Sequence, residues 1–278
     1  MSRKDGRPAS RHDRQRQQEH TARRASQVDM QSTEKLQKVL ARSGCGSRRA
    51  LEKLIEAGDV KVNGQVAKLG DRIRGDEQVT LKGSRVKLCA LDANQLPRVL
   101  MYNKPEGEVC TRSDPESRPT VYAAMPKIQG SRWVAVGRLD INTSGLLLMT
   151  DSGELANRLM HPSSEIDREY RVRIFGEVTE AKINALRQGV QLEDGPARFT
   201  DISLDAEKEG RNQWATVTLK EGRNREVRRL WESQDIQVSR LKRVRYGAVI
   251  LPGRIPRGRW AECTQEEVKA LLASLPEG

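Results

Sequence analysis

The run Leu146-Leu147-Leu148-Met149 sets four apolar side chains in succession, directly after Val136-Gly137-Arg138-Leu139-Asp140-Ile141-Asn142-Thr143-Ser144-Gly145. An apolar run of that length fits one buried strand. Gly137 and Gly145 let the backbone turn sharply on either side of the aspartate. The stretch therefore predicts a stiff strand carrying a loop, and in that loop a carboxylate aimed outward, as a nucleophile is presented. Arg138-Leu139-Asp140 taken alone is a weak signal, because short Arg-x-Asp sequences are usually surface ion pairs.

Charge narrows the partners. Lys and Arg number 50 against 38 Asp and Glu, a formal net charge of +12 in 278 residues. Such an excess favours polyanions: nucleic acid, or an anionic membrane surface. No apolar run approaches the roughly 20 residues that span a bilayer, so membrane is the weaker option. The arginine-rich start lacks the apolar centre of a signal peptide. With 36% hydrophobic and only 4% aromatic residues, the core must be mostly aliphatic. Cys45, Cys89, Cys110 and Cys263 are scattered without a C-x-x-C pair, and His12, His20 and His161 form no cluster. A reduced cytosol is expected, with neither a disulfide framework nor a metal site.

The length suits about two domains. Residues 1–33 contain no Leu, Ile, Phe, Trp or Tyr and carry eight Lys or Arg, from Arg3 to Arg24. That composition predicts a disordered basic arm, either a solubilising tail or an electrostatic contact for RNA phosphates. A small domain is expected over 34–83. Leu36, Val39 and Leu40 fall at helical spacing; Ser47 can cap a second helix whose Leu51, Leu54 and Ile55 share one face; Val60-Lys61-Val62, Asn63-Gly64 and Gln65-Val66-Ala67 read as a hairpin. Its cations cluster at Arg42, Arg48, Arg49, Lys53, Lys61 and Lys68, and Arg48 and Arg49 open the second helix, where free N–H groups also favour phosphate. These features resemble the small RNA-binding domain first recognised in a small-subunit ribosomal protein. The resemblance implies Arg48, Arg49, Lys53 and Lys61 as RNA contacts.

Residues 84–98 read as a linker running into Pro97, and 99–278 as a second domain. Val99 to Tyr102 starts it as an apolar strand ending in Asn103-Lys104-Pro105. Glu169 to Ile174, Trp214 to Leu219 and Val238 to Val249 are strand-like, with helices at Leu155–Met160 and at 179–188, and Glu221 to Trp231 reads as a Gly-containing turn leading into a helix. Thr264 and Glu267 form a capping box for a last helix. The fold class is α+β, a mixed and mainly antiparallel sheet with flanking helices.

Four motifs occur in order: Asn103-Lys104-Pro105-x-Gly107, Gly137-Arg138-Leu139-Asp140, Arg168-Glu169-Tyr170, and Glu221-Gly222-Arg223-Asn224-Arg225-Glu226-Val227-Arg228-Arg229-Leu230. Together with the small domain they resemble the ribosomal branch of the pseudouridine synthases, from Glu34 to about Trp260. Thr111-Arg112-x-Asp114-Pro115-Glu116-x-Arg118-Pro119-Thr120 and Val238-Ser239-Arg240-Leu241 are most like the members acting on the large ribosomal subunit.

The resemblance implies isomerisation of a specific uridine in large-subunit (23S) ribosomal RNA. Asp140 would be the nucleophile or base at the sugar–base junction. Arg228 beside it would keep the carboxylate charged. Tyr170 would stack on the flipped-out base, with its hydroxyl near C5. Arg138 would fill the gap left in the RNA, and Leu230 would form an apolar wall. The reaction transfers no electrons overall and loses no group, so no cofactor is expected, and no P-loop or Gly-x-Gly-x-x-Gly is present.

Other readings stand beside these. Tyr170 also fits a core tyrosine, Leu230 a core leucine, and Arg229 a phosphate or surface contact. Lys104 reads as structural. Asp151 and Glu154 suit helix capping better than a metal pair with Asp140. The chain is expected to work as a monomer in a bacterial-type cytosol, on ribosomal RNA or a ribosome-assembly intermediate. A sister enzyme for small-subunit RNA, or a non-catalytic ribosome-assembly protein, would share much of the pattern.

Overall fold

The computed structural model describes residues 33–89 and 96–276. Apart from Thr33, the basic arm expected at 1–33 lies outside the described residues. The described chain forms two compact units, one of residues 33–89 together with 129–131 and the other of residues 96–128 and 132–276.

In the first unit, β1 (Glu34–Lys35) leads into helix α1 (Leu36–Arg42), and α2 (Arg48–Glu56) follows. The Ser47 hydroxyl caps α2 by accepting from the Ala50 N–H at 3.1 Å. Strands β2 (Val60–Val62) and β3 (Gln65–Val66) turn through Asn63 and Gly64, both at positive φ. Next come β4 (Arg72–Ile73), which pairs with β1, and β5 (Val79–Leu81). Leu36, Leu40, Leu51, Ile55, Val60 and Val79 form the core. The expected linker begins too early. Ser84–Val86 is a strand, β6, in antiparallel register with β5, so the unit extends past residue 83. Lys82 and Gly83, at φ +47° and +79°, make the tight hairpin turn that reverses the chain there.

The second unit is built on one nine-stranded sheet. Its strands are β7 (Val99–Lys104), β8 (Val134–Ala135), β9 (Ser144–Thr150), β10 (Arg168–Phe175), then, after a separate β11 (Val190–Leu192) and β12 (Gly195–Ala197) hairpin, β13 (Asp201–Glu209) and β14 (Asn212–Leu219). The last are β15 (Gln237–Tyr246), β16 (Val249–Ile250) and β17 (Trp260–Glu262). The main path runs β13-β14-β10-β15-β9-β7-β17, with β8 on β9 and β16 on β15. Every pairing is antiparallel except β15 with β9, so the sheet is mixed and mainly antiparallel. The strand expected to run unbroken from Val238 to Val249 instead turns at Gly247 (φ +55°) and pairs back on itself. Helices α3 (Gly153–Met160), α4 (Glu180–Gln188), α5 (Glu226–Glu232) and α6 (Gln265–Ala273) flank the sheet, and Thr264 and Glu267 form the expected capping box.

All seven residues of β9 are buried. Side chains alternate between the two faces of a strand, so Leu147 and Met149 join one core with Tyr102, Val172, Leu230 and Trp231. Leu146 and Leu148 join the other, with Met101, Leu155, Leu159 and Leu271. The apolar run is thus the strand that both cores share. Gly145 makes its junction with β15 possible. It sits at φ +99° opposite Arg243, and a Cβ there would lie 2.1 Å from the Arg243 carbonyl oxygen.

Candidate active site

The loop between β8 and β9 presents Asp140, and its backbone is fixed from outside. The carbonyls of residues 139 to 143 all accept hydrogen bonds. Cys110 Sγ donates to Leu139 O at 3.3 Å and accepts from the Leu139 N–H at 3.4 Å. The Lys104 ammonium donates to Asp140 O (3.1 Å), Thr143 O (2.9 Å) and Pro105 O (3.0 Å). The Gly107 N–H donates to Ile141 O at 2.8 Å, and Arg228 Nη2 to Asn142 O at 2.9 Å. The Thr143 N–H closes the turn onto Asp140 O at 3.0 Å. The loop's acceptors are consumed by this scaffold, while the Asp140 side chain stays half-buried beside a cavity.

That cavity, of about 620 Å³, is lined by Arg138, Asp140 and Tyr170, with Arg168, Leu219 and Arg243 among the other walls. Tyr170 comes from β10 and is both a core residue and a cavity wall, so both of its sequence readings hold. Arg138 is exposed at the cavity. Arg228 and Leu230, on α5, do not line it. Leu230 is fully buried in the core. Arg228 braces the loop from behind, joining Asn142 O to Val238 O (2.7 Å) on β15. Arg229, the neighbour of Arg228 on α5, makes a two-pronged ion pair with Asp194 at 2.8 and 2.9 Å.

Electrostatics fit a braced loop. Burial pulls the Lys104 ammonium below the ordinary lysine value, against the opposing charges of Glu108 and Asp140 among its neighbours. Burial, then repulsion from Arg225, lowers Arg228, and Asp140 opposes both, so the two groups feel each other's charge. Burial also pushes the Cys110 thiol up, although the Leu139 N–H and the Lys104 charge work the other way. Glu226, on the cavity wall, is raised by its burial even though Arg223 binds it at 3.2 Å. Asp151 accepts from the Arg98 N–H, and Ser152 caps α3 by accepting from the Leu155 N–H. Among the described residues no group of three or more His, Cys, Asp or Glu is placed to hold a metal ion.

The sequence reading gave no role to Arg168, which it saw only as part of a motif, and missed Arg243 and the support from Cys110. Arg243 had one usable signal: it stands two residues after buried Leu241 in a strand, so it shares that inward face.

Residues 98–233 match the RNA pseudouridylate synthase family, and residues 34–79 match the S4 domain. The chain is 58% identical over 248 residues to ribosomal large subunit pseudouridine synthase B of Escherichia coli K12, covering 88% of this chain and 84% of that one. The chain belongs to the RNA pseudouridylate synthase family. A Haemophilus influenzae protein with the same name is 58% identical over 257 residues, covering 91% of this chain and 71% of its own. A solved pseudouridylate synthase superposes with a TM-score of 0.59 at 27% identity, over 85% of this chain and 99% of that one. The protein is therefore an RNA pseudouridine synthase, with an S4 domain before the synthase fold. Among the described residues, no helix is long and apolar enough to cross a membrane.

Proposed function

We propose that this synthase isomerises a uridine of large-subunit ribosomal RNA, with Asp140 as the nucleophile acting on a base flipped into the cavity. The substrate class is that in the names of the E. coli and H. influenzae relatives. The observation that carries the chemistry is the loop whose five successive carbonyls are bound from outside, which holds one carboxylate at a fixed place on a cavity wall. A nucleophile held in one geometry gains effective molarity over a mobile one.

In this mechanism the C1′–N1 bond breaks as Asp140 engages the sugar–base junction. The base turns over, C5 joins C1′, the proton on C5 leaves and N1 gains one, so the product is an isomer. Tyr170 stacks on the extruded base, worth about 1–3 kcal/mol, and its phenol sits where the C5 proton is handled. Arg138, exposed at the cavity, takes the place vacated in the RNA. Arg228 is a positioning residue that holds the Asn142 carbonyl, and Leu230 packs the core beneath. No cofactor takes part. The first unit supplies RNA affinity through Arg48, Arg49, Lys53 and Lys61, all exposed. The protein acts as a monomer in the cytosol, on ribosomal RNA or an assembling particle.

Pseudouridine mapping of ribosomal RNA from cells with and without the protein tests the substrate. One large-subunit site should disappear and return only with the wild-type gene. Loss of a small-subunit site instead, or of none, would refute the assignment.

A further inference from the structure

Arg243 is 2% exposed, yet it forms no ion pair with any described carboxylate. Its Nε donates to Leu146 O at 2.7 Å, while Nη2 is sealed from solvent with no acceptor. Its guanidinium carbon lies 5.1 Å from the centre of the Tyr246 ring. Arg168, 8% exposed, approaches the same ring at 5.2 Å, and its donors go to Ile166 O, Lys220 O and the Tyr246 hydroxyl. Arg168 is satisfied and braces the chain; Arg243 is not. Both line the cavity.

A buried cation without a counter-charge is costly, and leaving one of its N–H groups unbonded adds to the cost. A fold keeps such a group where a ligand supplies the missing acceptor. The cavity wall carries Arg138, Arg168, Lys220, Arg223, Arg225 and Arg243 against Asp140, Glu221 and Glu226. Three of those cations are already committed: Lys220 to Glu165, Arg223 to Asp194, Glu221 and Glu226, and Arg225 to Glu232. Arg243 is the deep one left with unbonded donors: Nη2 is sealed, while Nη1, neither bonded nor sealed, is the one that a ligand in the cavity can reach. A guanidinium with an open donor suits an oxyanion, and in an RNA substrate the oxyanion is phosphate.

We infer that Arg243 binds a backbone phosphate flanking the target uridine, fixing the sugar against Asp140 while the base turns over. This rests on the uridine-isomerising reading above and names one contact within it. The uridine itself is neutral, so the base alone gives no anion for this site. The phosphate of its own nucleotide is the anion that travels with it into the cavity.

The test crosses an enzyme change with a substrate change. A ribosomal RNA hairpin containing the mapped uridine is made with a neutral methylphosphonate at the linkage on its 5′ side, then separately on its 3′ side. For the wild-type enzyme, one of the two linkages should cost about 10- to 100-fold in kcat/KM. Arg243→Gln should cost a similar factor on natural RNA and lose almost nothing further on that modified RNA. Arg243→Lys should recover part of the loss on natural RNA and none on the neutral linkage. If Arg243→Gln does not fold, Arg243→Lys carries the same cycle. Losses that multiply independently at both linkages would overturn the inference, and so would a wild-type enzyme indifferent to both. If no uridine maps to the protein in cells, or wild type isomerises the natural sequence neither as a hairpin nor within ribosomal particles, the uridine-isomerising reading falls, a result distinct from either of these.

Discussion

The two units use cations in opposite ways. In the first, Arg48 and Arg49 at the start of α2, with Lys53 and Lys61, stand exposed on a domain whose small core lies beneath them. In the second, Arg168, Arg228 and Arg243 are buried and bonded to backbone carbonyls of the strands and loops around the cavity. An exposed guanidinium meets phosphate through water at little structural cost, and salt screens it. A buried guanidinium is planar and carries several donors in a fixed fork, so it pins several carbonyls at once. On the function proposed above, one arrangement would bring RNA to the protein and the other would hold the catalytic atoms still. The cost of deleting each kind should therefore appear in different measurements.

Asp140→Asn marks the catalytic extreme. Isomerisation should fall by at least about 10⁴-fold, on the scale of removing a nucleophile, while RNA affinity stays within about threefold. Single-turnover conversion at an undiminished rate would remove Asp140 from the reaction. Arg228→Gln probes the brace. It should lower kcat by about 100-fold through a shifted loop and destabilise the protein by about 1–3 kcal/mol, since two carbonyls lose their donor. A variant that loses affinity but keeps kcat would erase the contrast between the two units.

Replacing both Arg48 and Arg49 with Ala should act the other way. KM and the RNA Kd should rise about 10-fold, kcat should hold, and the slope of log affinity against log salt should flatten by about 1–2. Unchanged salt dependence would mean that the first unit does not hold RNA.

The smallest effect belongs to Glu34, which pairs with Lys38 at 2.8 Å and with Arg42. Burial raises its pKa, but the hydrogen bonds from Lys38 and Arg42 outweigh it, and the carboxyl falls below its ordinary value of 4.5. A depressed carboxylate contributes stability above that ordinary value and loses it as pH falls through the folded one. Glu34→Gln should therefore cost less than about 1 kcal/mol at pH 7. The difference in melting temperature from wild type should vanish as pH drops well below 4.5. A gap that widened in acid would reverse the sign.

Local pattern carried far in this chain. Glycines flanking Asp140, the apolar run after it, the Asn63-Gly64 turn and the Thr264–Glu267 capping box are short-range signals, and each depends on neighbours within a few residues. Tyr170 was legible as a strand residue, and whether it faced core or cavity stayed open because it faces both. What escaped has a common cause. Ser84–Val86 gained its strand only by pairing with β5. Arg228 lies near Asp140 in charge, but its donors go to Asn142 and Val238, whose carbonyls no spacing rule assigns. Cys110 bonds Leu139, 29 residues away, and Lys104 bonds Asp140, 36 away.

The linear chain by itself determined that a carboxylate would sit in a glycine-hinged loop on a buried strand, beside a separate basic domain. Those are properties of propensity and periodicity, set within a turn or two of backbone. Tertiary structure alone decided which groups immobilise that loop and which arginine of the cavity wall was left with a buried, unfilled donor. The parallel register of β9 with β15 sets Gly145 against Arg243. That register is a contact between segments nearly a hundred residues apart, chosen by how the whole sheet buries its two cores.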